Sequence, residues 1–252
     1  MNRTVRKVVI IGALSAIAEE TGRLLAARGC ELLLVGRRAE RLDEVAADLR
    51  VRGAGRVLTT AVDLGKIADP FAFMAKAGAD LGGMDGVLIF HGVMHDEQVA
   101  ARDIEPLRDI LSVNFNSAIE LAAAAAVELE ASSSPKPVLV GIGSVAGDRG
   151  RASNRAYGAA KAGFAAYLQG LAQRGVASKV WTVVVKPGFT DTPMTASLKK
   201  GGPLWSSPTK VAKDIVRAID GAGPTIYSPW FWRWILLIIR LLPHPIMAKL
   251  PI

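Results

Sequence analysis

A chain of 252 residues, half of it hydrophobic and 21% charged, fits one large α/β domain with an ample core. Its single cysteine, Cys30, excludes a disulfide framework and suits a reducing compartment. The net charge of +8, with eight Lys and Arg against three Asp in residues 190–252, comes without a basic run interleaved with aromatics. This pattern excludes nucleic-acid binding and suits an anionic cofactor or an anionic membrane surface.

The first apolar run, Lys7–Ile11, predicts a strand, and the stretch Ala16–Arg28 predicts a helix. Arg3, Arg6 and Lys7, then the apolar run and Ala16-Ile17-Ala18, imitate a secretion signal. Cleavage there would delete the first strand and its turn, so a cytoplasmic location is expected. The turn between strand and helix can hold a pyrophosphate through its backbone N–H groups and the helix N-terminus. Gly12, Ser15, Ala16 and Ile17 are the candidate binders. Ala16 and Ala18 stand where such turns usually carry glycine, which is tolerable while φ stays negative.

A second strand, Glu31–Val35, runs into Gly36-Arg37-Arg38. An Asp or Glu at this point would accept from ribose hydroxyls. Two guanidinium groups suit a 2′-phosphate instead, favouring NADP(H) over NAD(H). The competing reading is a solvated helix-start cluster balanced by Glu40. A helix over Glu40–Arg50 and a third strand, Val57–Val62, lead to Asp63-Leu64. Asp63 can accept from an adenine amino group or simply form the strand-end turn.

A helix over Pro70–Leu81 and a strand over Gly86–Phe90 follow. Two helices, Ser117–Glu130 and Ala156–Leu171, are rich in small residues, including Ala122 to Ala126. Their faces pack either within the sheet sandwich or between subunits, the latter giving a homodimer or homotetramer. The strand Val138–Ile142 ends just before Ser144. Tyr157 and Lys161, four residues apart, share one helix face. An ammonium beside a phenol favours the phenolate and lowers its pKa from about 10 toward working pH. Such a hydroxyl can hand a proton to a carbonyl oxygen as hydride reaches the carbon. Ser144 can hydrogen-bond the same oxygen.

The last strands are Val180–Val185 and Thr225–Tyr227. Continuously apolar strands alternating with amphipathic stretches predict a doubly wound, Rossmann-type α/β fold. It has a parallel sheet of about seven strands with helices on both faces. Residues 1–228 make the nucleotide-binding domain with the catalytic site, and 229–252 an apolar tail. No metal site is expected.

In order and spacing, Gly12, Asp63, Asn114, Ser144, Tyr157, Lys161, Pro187-Gly188 and Thr192 resemble the short-chain dehydrogenase/reductase family. The resemblance covers almost the whole chain. It implies Tyr157 as proton donor, Ser144 as orienter of the substrate oxygen, and Lys161 as ribose binder and tuner of the tyrosine. It implies Asn114 as holder of a relay water, and Pro187, Gly188 and Thr190 to Thr192 around the nicotinamide. The family's Asn-Asn-Ala-Gly segment reads Ile89-Phe90-His91-Gly92 here, which puts His91 and Gly92 near the cofactor. His91 reads as a packing substitution, because Tyr157 already supplies the acid.

The tail segment Pro229–Pro243 is too short and too charged to span a bilayer. Arg233 and Arg240, seven apart amid Trp, Leu and Ile, have the pattern of a helix lying in a membrane interface. A helix buried in an oligomer and a lid over an apolar pocket are the alternatives. Met194–Lys199, this helix and Lys249-Leu250-Pro251-Ile252 resemble the decaprenylphosphoryl-2-keto-ribose reductases, implying a lipid-linked ketone as substrate.

The resulting expectation is an NADPH-dependent reductase of a lipophilic or polyprenyl-phosphate-linked ketone, peripheral at the inner face of the membrane. A soluble carbonyl or 3-oxoacyl reductase, and a non-catalytic nucleotide-binding module at the membrane, are the other readings.

Overall fold

The computed structural model describes residues 5–174, 177–198 and 200–249. Arg3, Lys199 and Leu250-Pro251-Ile252, noted in the sequence, lie outside these. Seven parallel strands form the central sheet: β1 (Lys7–Ile11), β2 (Glu31–Gly36), β3 (Arg56–Ala61), β4 (Gly86–Ile89), β5 (Val138–Ile142), β6 (Trp181–Pro187) and, at the far edge, β9 (Thr225–Ser228). Their order is β3-β2-β1-β4-β5-β6-β9, so the winding reverses between β1 and β4. Ligands of such sheets bind outside the carboxyl ends of the strands at this reversal.

Side-chain alternation along each strand builds two cores. Val8 and Ile10 point to the layer of α1 (Ala16–Ala26), α2 (Ala39–Val51) and α8 (Pro208–Ile219). Val9 and Ile11 point to the layer of α3 (Pro70–Leu81), α6 (Ser117–Ala131) and α7 (Arg155–Gln173). Continuous apolar runs are what two buried faces require. The alanines of α6 serve this second core: Ala122, Ala124, Ala125 and Ala126 are buried within the chain. On α7 the small residues permit close approach, since a Cβ on Gly163 would lie 2.6 Å from the Phe115 ring.

Several elements go beyond the sequence reading. Helix α8 opens on Ser207, whose side chain caps Lys210 N–H, with Pro208 in the first turn. It buries Val211, Ile215 and Ile219 at helical spacing. Short helices α4 (Glu97–Ala100) and α5 (Ile104–Leu111) precede α6, and α5 joins it through a π-turn at Ser112–Asn116. A two-stranded ribbon, β7 (Phe189–Thr190) with β8 (Trp205–Ser206), stands beyond β6. The tail forms α9 (Trp232–Leu241) and a final turn, α10 (His244–Met247). The third strand starts and ends one residue before the predicted Val57–Val62, leaving Val62 in the turn with Asp63.

Candidate active site

At the carboxyl end of β1 the chain turns with Gly12 at φ +79°. A side chain there would strain the backbone and place its Cβ 2.5 Å from the His91 nitrogen, so only glycine fits. Gly12 and Ala13 both donate to the Val35 carbonyl, at 2.9 and 3.0 Å, tying this turn to β2. Ser15 caps α1 by accepting from Ala18 N–H at 3.1 Å. Ala16 and Ile17 supply the first-turn N–H groups, which a helix cannot pair internally. Ala16 and Ala18 are helical, and among the described residues every positive φ belongs to glycine. The two alanines therefore carry no backbone strain.

Arg37 and Arg38 follow β2 and are both exposed. Arg38 accepts from Leu42 N–H with its carbonyl as it caps α2, but among the described residues neither guanidinium makes a hydrogen bond or ion pair, with Glu40 or any other group. Their neighbours differ: Arg41 pairs with Glu19 and Glu44, and Arg23 with Glu20 and Asp48. Asp63 accepts from Gly65 N–H at 3.2 Å, the turn-forming alternative, while Leu64 is buried in the second core.

His91 is buried, and its Nε2 lies 2.9 Å from the Ser117 hydroxyl. That hydroxyl donates to the Val113 carbonyl at 3.1 Å, so Nε2 carries the proton and Nδ1 is left as a buried acceptor without a partner. Burial first, and the Lys161 charge second, hold His91 down to about 3. It stays neutral at working pH and is no proton donor.

Asn114 sits on the π-turn and is fully buried. Its amide donates to the Val93 and Ile110 carbonyls at 2.8 and 2.9 Å, and its Oδ1 accepts from Val93 N–H at 3.0 Å. A Cβ on Gly92 would lie 2.5 Å from this Oδ1 and 3.4 Å from Lys161 Nζ. Gly92, Asn114 and Lys161 thus converge. The amino group of Asn114 is committed to bracing the chain after β4; only Oδ1 retains a free lone pair.

Ser144 ends the stretch leading from β5 and caps a short turn, Val145–Asp148, by accepting from Ala146 N–H at 3.1 Å. This turn lies against α7, where a Cβ on Gly147 would meet Ala162 N at 2.7 Å. The contact sets Ser144 beside Tyr157, where its side chain opposes the rise of the phenol. Lys161 is buried, donates to the Ile142 carbonyl at 3.0 Å and lies 6.0 Å from the centre of the Tyr157 ring. Among the described residues it has no carboxylate partner.

The electrostatics differ from the sequence expectation. Burial pushes the Tyr157 phenol up rather than down, and only the Ser144 side chain pulls it back. Burial also lowers Lys161 from 10.5 to about 8. Its ammonium is turned to the Ile142 carbonyl and lies 6.0 Å from the centre of the Tyr157 ring.

At the end of β6, Gly188 N–H donates to the Ser228 carbonyl at 2.9 Å. Thr190 is buried; its hydroxyl donates to the Gly188 carbonyl at 3.2 Å, and its carbonyl accepts from Thr195 Oγ1 at 2.6 Å. Thr192 N–H donates to that same Oγ1 at 3.2 Å. Pro187, Gly188, Thr190 and Thr192 thus form a braced rim beside Ser144 and Lys161.

The tail, for which a lid over an apolar pocket was one reading, and a buried ion pair that escaped the sequence reading both border the site. Trp232 of α9 rests directly on Gly188, where a Cβ would sit 1.8 Å from the indole nitrogen. With Leu236 it packs on Val145, the residue after Ser144, so the tail walls the site. Beneath lies a buried ion pair, Lys186 Nζ to Asp148 Oδ1 at 2.5 Å, with Tyr227 donating to Asp148 Oδ2 at 2.6 Å. A lysine ending the apolar run Val183-Val184-Val185 was the available signal, because a buried cation requires a partner.

A family profile described as short chain dehydrogenase matches residues 6–202. The chain belongs to the short-chain dehydrogenase/reductase family and is an oxidoreductase by that membership. An uncharacterized oxidoreductase of Mycobacterium tuberculosis is 31% identical over 244 residues, covering 97% of this chain and 96% of its own. A cis-4-hydroxycyclohexanecarboxylate dehydrogenase of Sinomonas cyclohexanicum is 31% identical over 77% of this chain and 76% of its own. The solved short-chain dehydrogenase from Sphingobium yanoikuyae, in complex with NADPH, superimposes with a TM-score of 0.81 at 25% identity, covering 97% and 96% of the two chains.

A nicotinamide dinucleotide fits the residues present. The Gly12 cradle leaves no room for a Cβ, the first turn of α1 offers N–H groups, and a buried ammonium lacks a carboxylate partner.

Proposed function

We propose that this chain is an NADPH-dependent reductase of a ketone carried on a lipophilic or polyprenyl-phosphate-linked substrate. The observation carrying the reaction class is the convergence of Ser144, Tyr157 and Lys161 at the carboxyl ends of β5 and α7's first turns. The nicotinamide supplies hydride to the carbonyl carbon when bound. Tyr157 releases its phenolic proton to the carbonyl oxygen, so ketone, hydride and proton together make the alcohol. Ser144, beside that phenol, holds the same oxygen in line. Lys161 binds ribose hydroxyls and, once turned from the Ile142 carbonyl, offsets the charge left on the phenolate. Asn114 fixes the chain after β4 so that Gly92 and Lys161 keep their spacing.

The preference for NADPH rests on Arg37 and Arg38, whose guanidinium groups have no partner among the described residues and stand beside a phosphate turn. An apolar substituent on the ketone is supported by the wall of Val145, Phe189, Trp232 and Leu236 next to Ser144. The same wall serves a 3-oxoacyl or alicyclic substrate, the second reading.

Tyr157→Phe should reduce turnover at least a hundredfold while NADPH titration by nicotinamide fluorescence stays within threefold of wild type. Retained turnover would falsify the assignment of the proton donor. In the same titration, Arg37→Ala/Arg38→Ala should weaken NADPH and leave NADH unchanged, a loss of about 3–6 kcal/mol for two charge-assisted contacts. Equal weakening of both cofactors would remove the basis for the NADPH preference.

A further inference from the structure

Helix α9 has two faces of different fate. Trp232 and Leu236 turn inward onto Val145. The opposite stripe carries Trp234, Leu237, Ile238 at 64% exposure and Leu241 at 74%, and Trp230, in the turn just before the helix, is 69% exposed. The four helical residues recur at three, four and seven residues from Trp234, so they form one apolar band along the helix, extended at its start by Trp230.

Arg233 and Arg240 flank this band on one side, one helical repeat of seven apart. They border a groove of about 550 Å³ between α9 and the loop Ala222–Thr225. Among the described residues neither guanidinium has an ion pair, although the Arg233 guanidinium lies 5.8 Å from the Trp234 ring. No Asp or Glu occurs after Asp220. Asp220 itself is held by Arg28 through two bonds of 2.9 Å. The surface is therefore purely cationic at its polar edge and purely apolar along its crest.

We propose that the outer face of α9 seats on an anionic phospholipid bilayer, with lipid phosphates held in the groove between Arg233 and Arg240. The band enters the headgroup boundary, with Trp230 and Trp234 at the depth their amphipathic rings prefer. Charge complementarity selects this occupant over a second copy of the chain, because two such faces would bring four unpaired guanidinium groups together. Seated this way, the helix touches lipid on one side and walls the reduction site on the other. The proposal stands whether or not the chain reduces a ketone, because it is read without turnover.

Flotation of the full chain with vesicles tests it. Vesicles of phosphatidylcholine mixed with phosphatidylglycerol should carry the protein, and pure phosphatidylcholine vesicles should carry far less. Arg233→Ala/Arg240→Ala should weaken anionic-vesicle binding roughly thirtyfold, the factor for about 1 kcal/mol at each of two basic residues. Ile238→Ser/Leu241→Ser should weaken it at high salt, where only the apolar part remains. All four positions are exposed, and unchanged NADPH binding or unfolding midpoint shows that the variants fold. Equal binding to both vesicle types, or indifference to the arginine pair, overturns the phosphate groove. No vesicle binding, with a dimer in solution dissolved by Ile238→Glu/Leu241→Glu, would mean that a second copy covers this face.

Discussion

Lys161 illustrates how one side chain is written for a partner outside the protein. Its ammonium is buried against a single carbonyl and held at about 8 instead of 10.5. Between those two values the unfolded chain binds more protons than the folded one. Stability contributed at this position is therefore complete above pH 10.5 and is lost as pH falls toward 8, a change of about 3 kcal/mol. Denaturant unfolding of wild type and Lys161→Met across this range checks it. The difference between the two should shift in favour of wild type as pH rises; a flat difference would contradict the buried, unpaired ammonium. His91 follows the same sign at lower pH, its neutral form being lost only toward about 3. Tyr157 moves the opposite way, its phenol raised by burial. The expectation that Lys161 lowers the phenol assumed that four residues of helical separation means mutual contact. In the fold the ammonium has a competing acceptor, Ile142, which no spacing rule within one helix reveals.

At the scale of elements, the turn Val145–Asp148 is pinned from three directions. Gly147 abuts α7, Asp148 pairs with Lys186 on β6, and Tyr227 on β9 donates to Asp148. Asp148 also raises the Tyr227 phenol, adding to its burial. Lys186→Met should cost about 3–5 kcal/mol in unfolding free energy, because it strands a buried carboxylate. The paired change Lys186→Met/Asp148→Leu should recover part of that loss, since no unpaired charge remains. Calorimetric or denaturant unfolding of the three proteins checks this; a single variant within 1 kcal/mol of wild type would show that the pair is not holding the turn.

The same elements mark what was legible beforehand. The strands of the parallel sheet read directly from their apolar runs, because burial on both faces leaves no other composition. Ser144, Tyr157 and Lys161 were legible because helix geometry and strand ends act over short distances. The Asp148–Lys186–Tyr227 brace was not, since its members are separated by up to 79 residues and meet only after three strands align. Helix α8 carried readable signals in Ser207, Pro208 and the 211/215/219 spacing. The β7/β8 ribbon had none, being two residues long on each side.

At the scale of the whole molecule, the tail is part of the catalytic half rather than an appendage. Arg149, next to Asp148, donates to the Arg240 and Leu242 carbonyls at 3.1 and 3.2 Å, so it caps α9 from the substrate side. Phe189 stacks on Trp205 at 5.4 Å and meets Trp232 edge-on at 5.6 Å, joining β7, β8 and α9 into one aromatic layer. The phosphate turn after β1 and the arginine pair after β2, by contrast, come from residues well before β5. Trp232 lying on Gly188 thus sets an order on the birth of the enzyme. As the chain leaves the ribosome from its first residue onward, the phosphate turn and the arginines after β2 emerge early and can fold. The pocket beside Ser144 stays unwalled until α9 has followed and Trp232 can settle on Gly188.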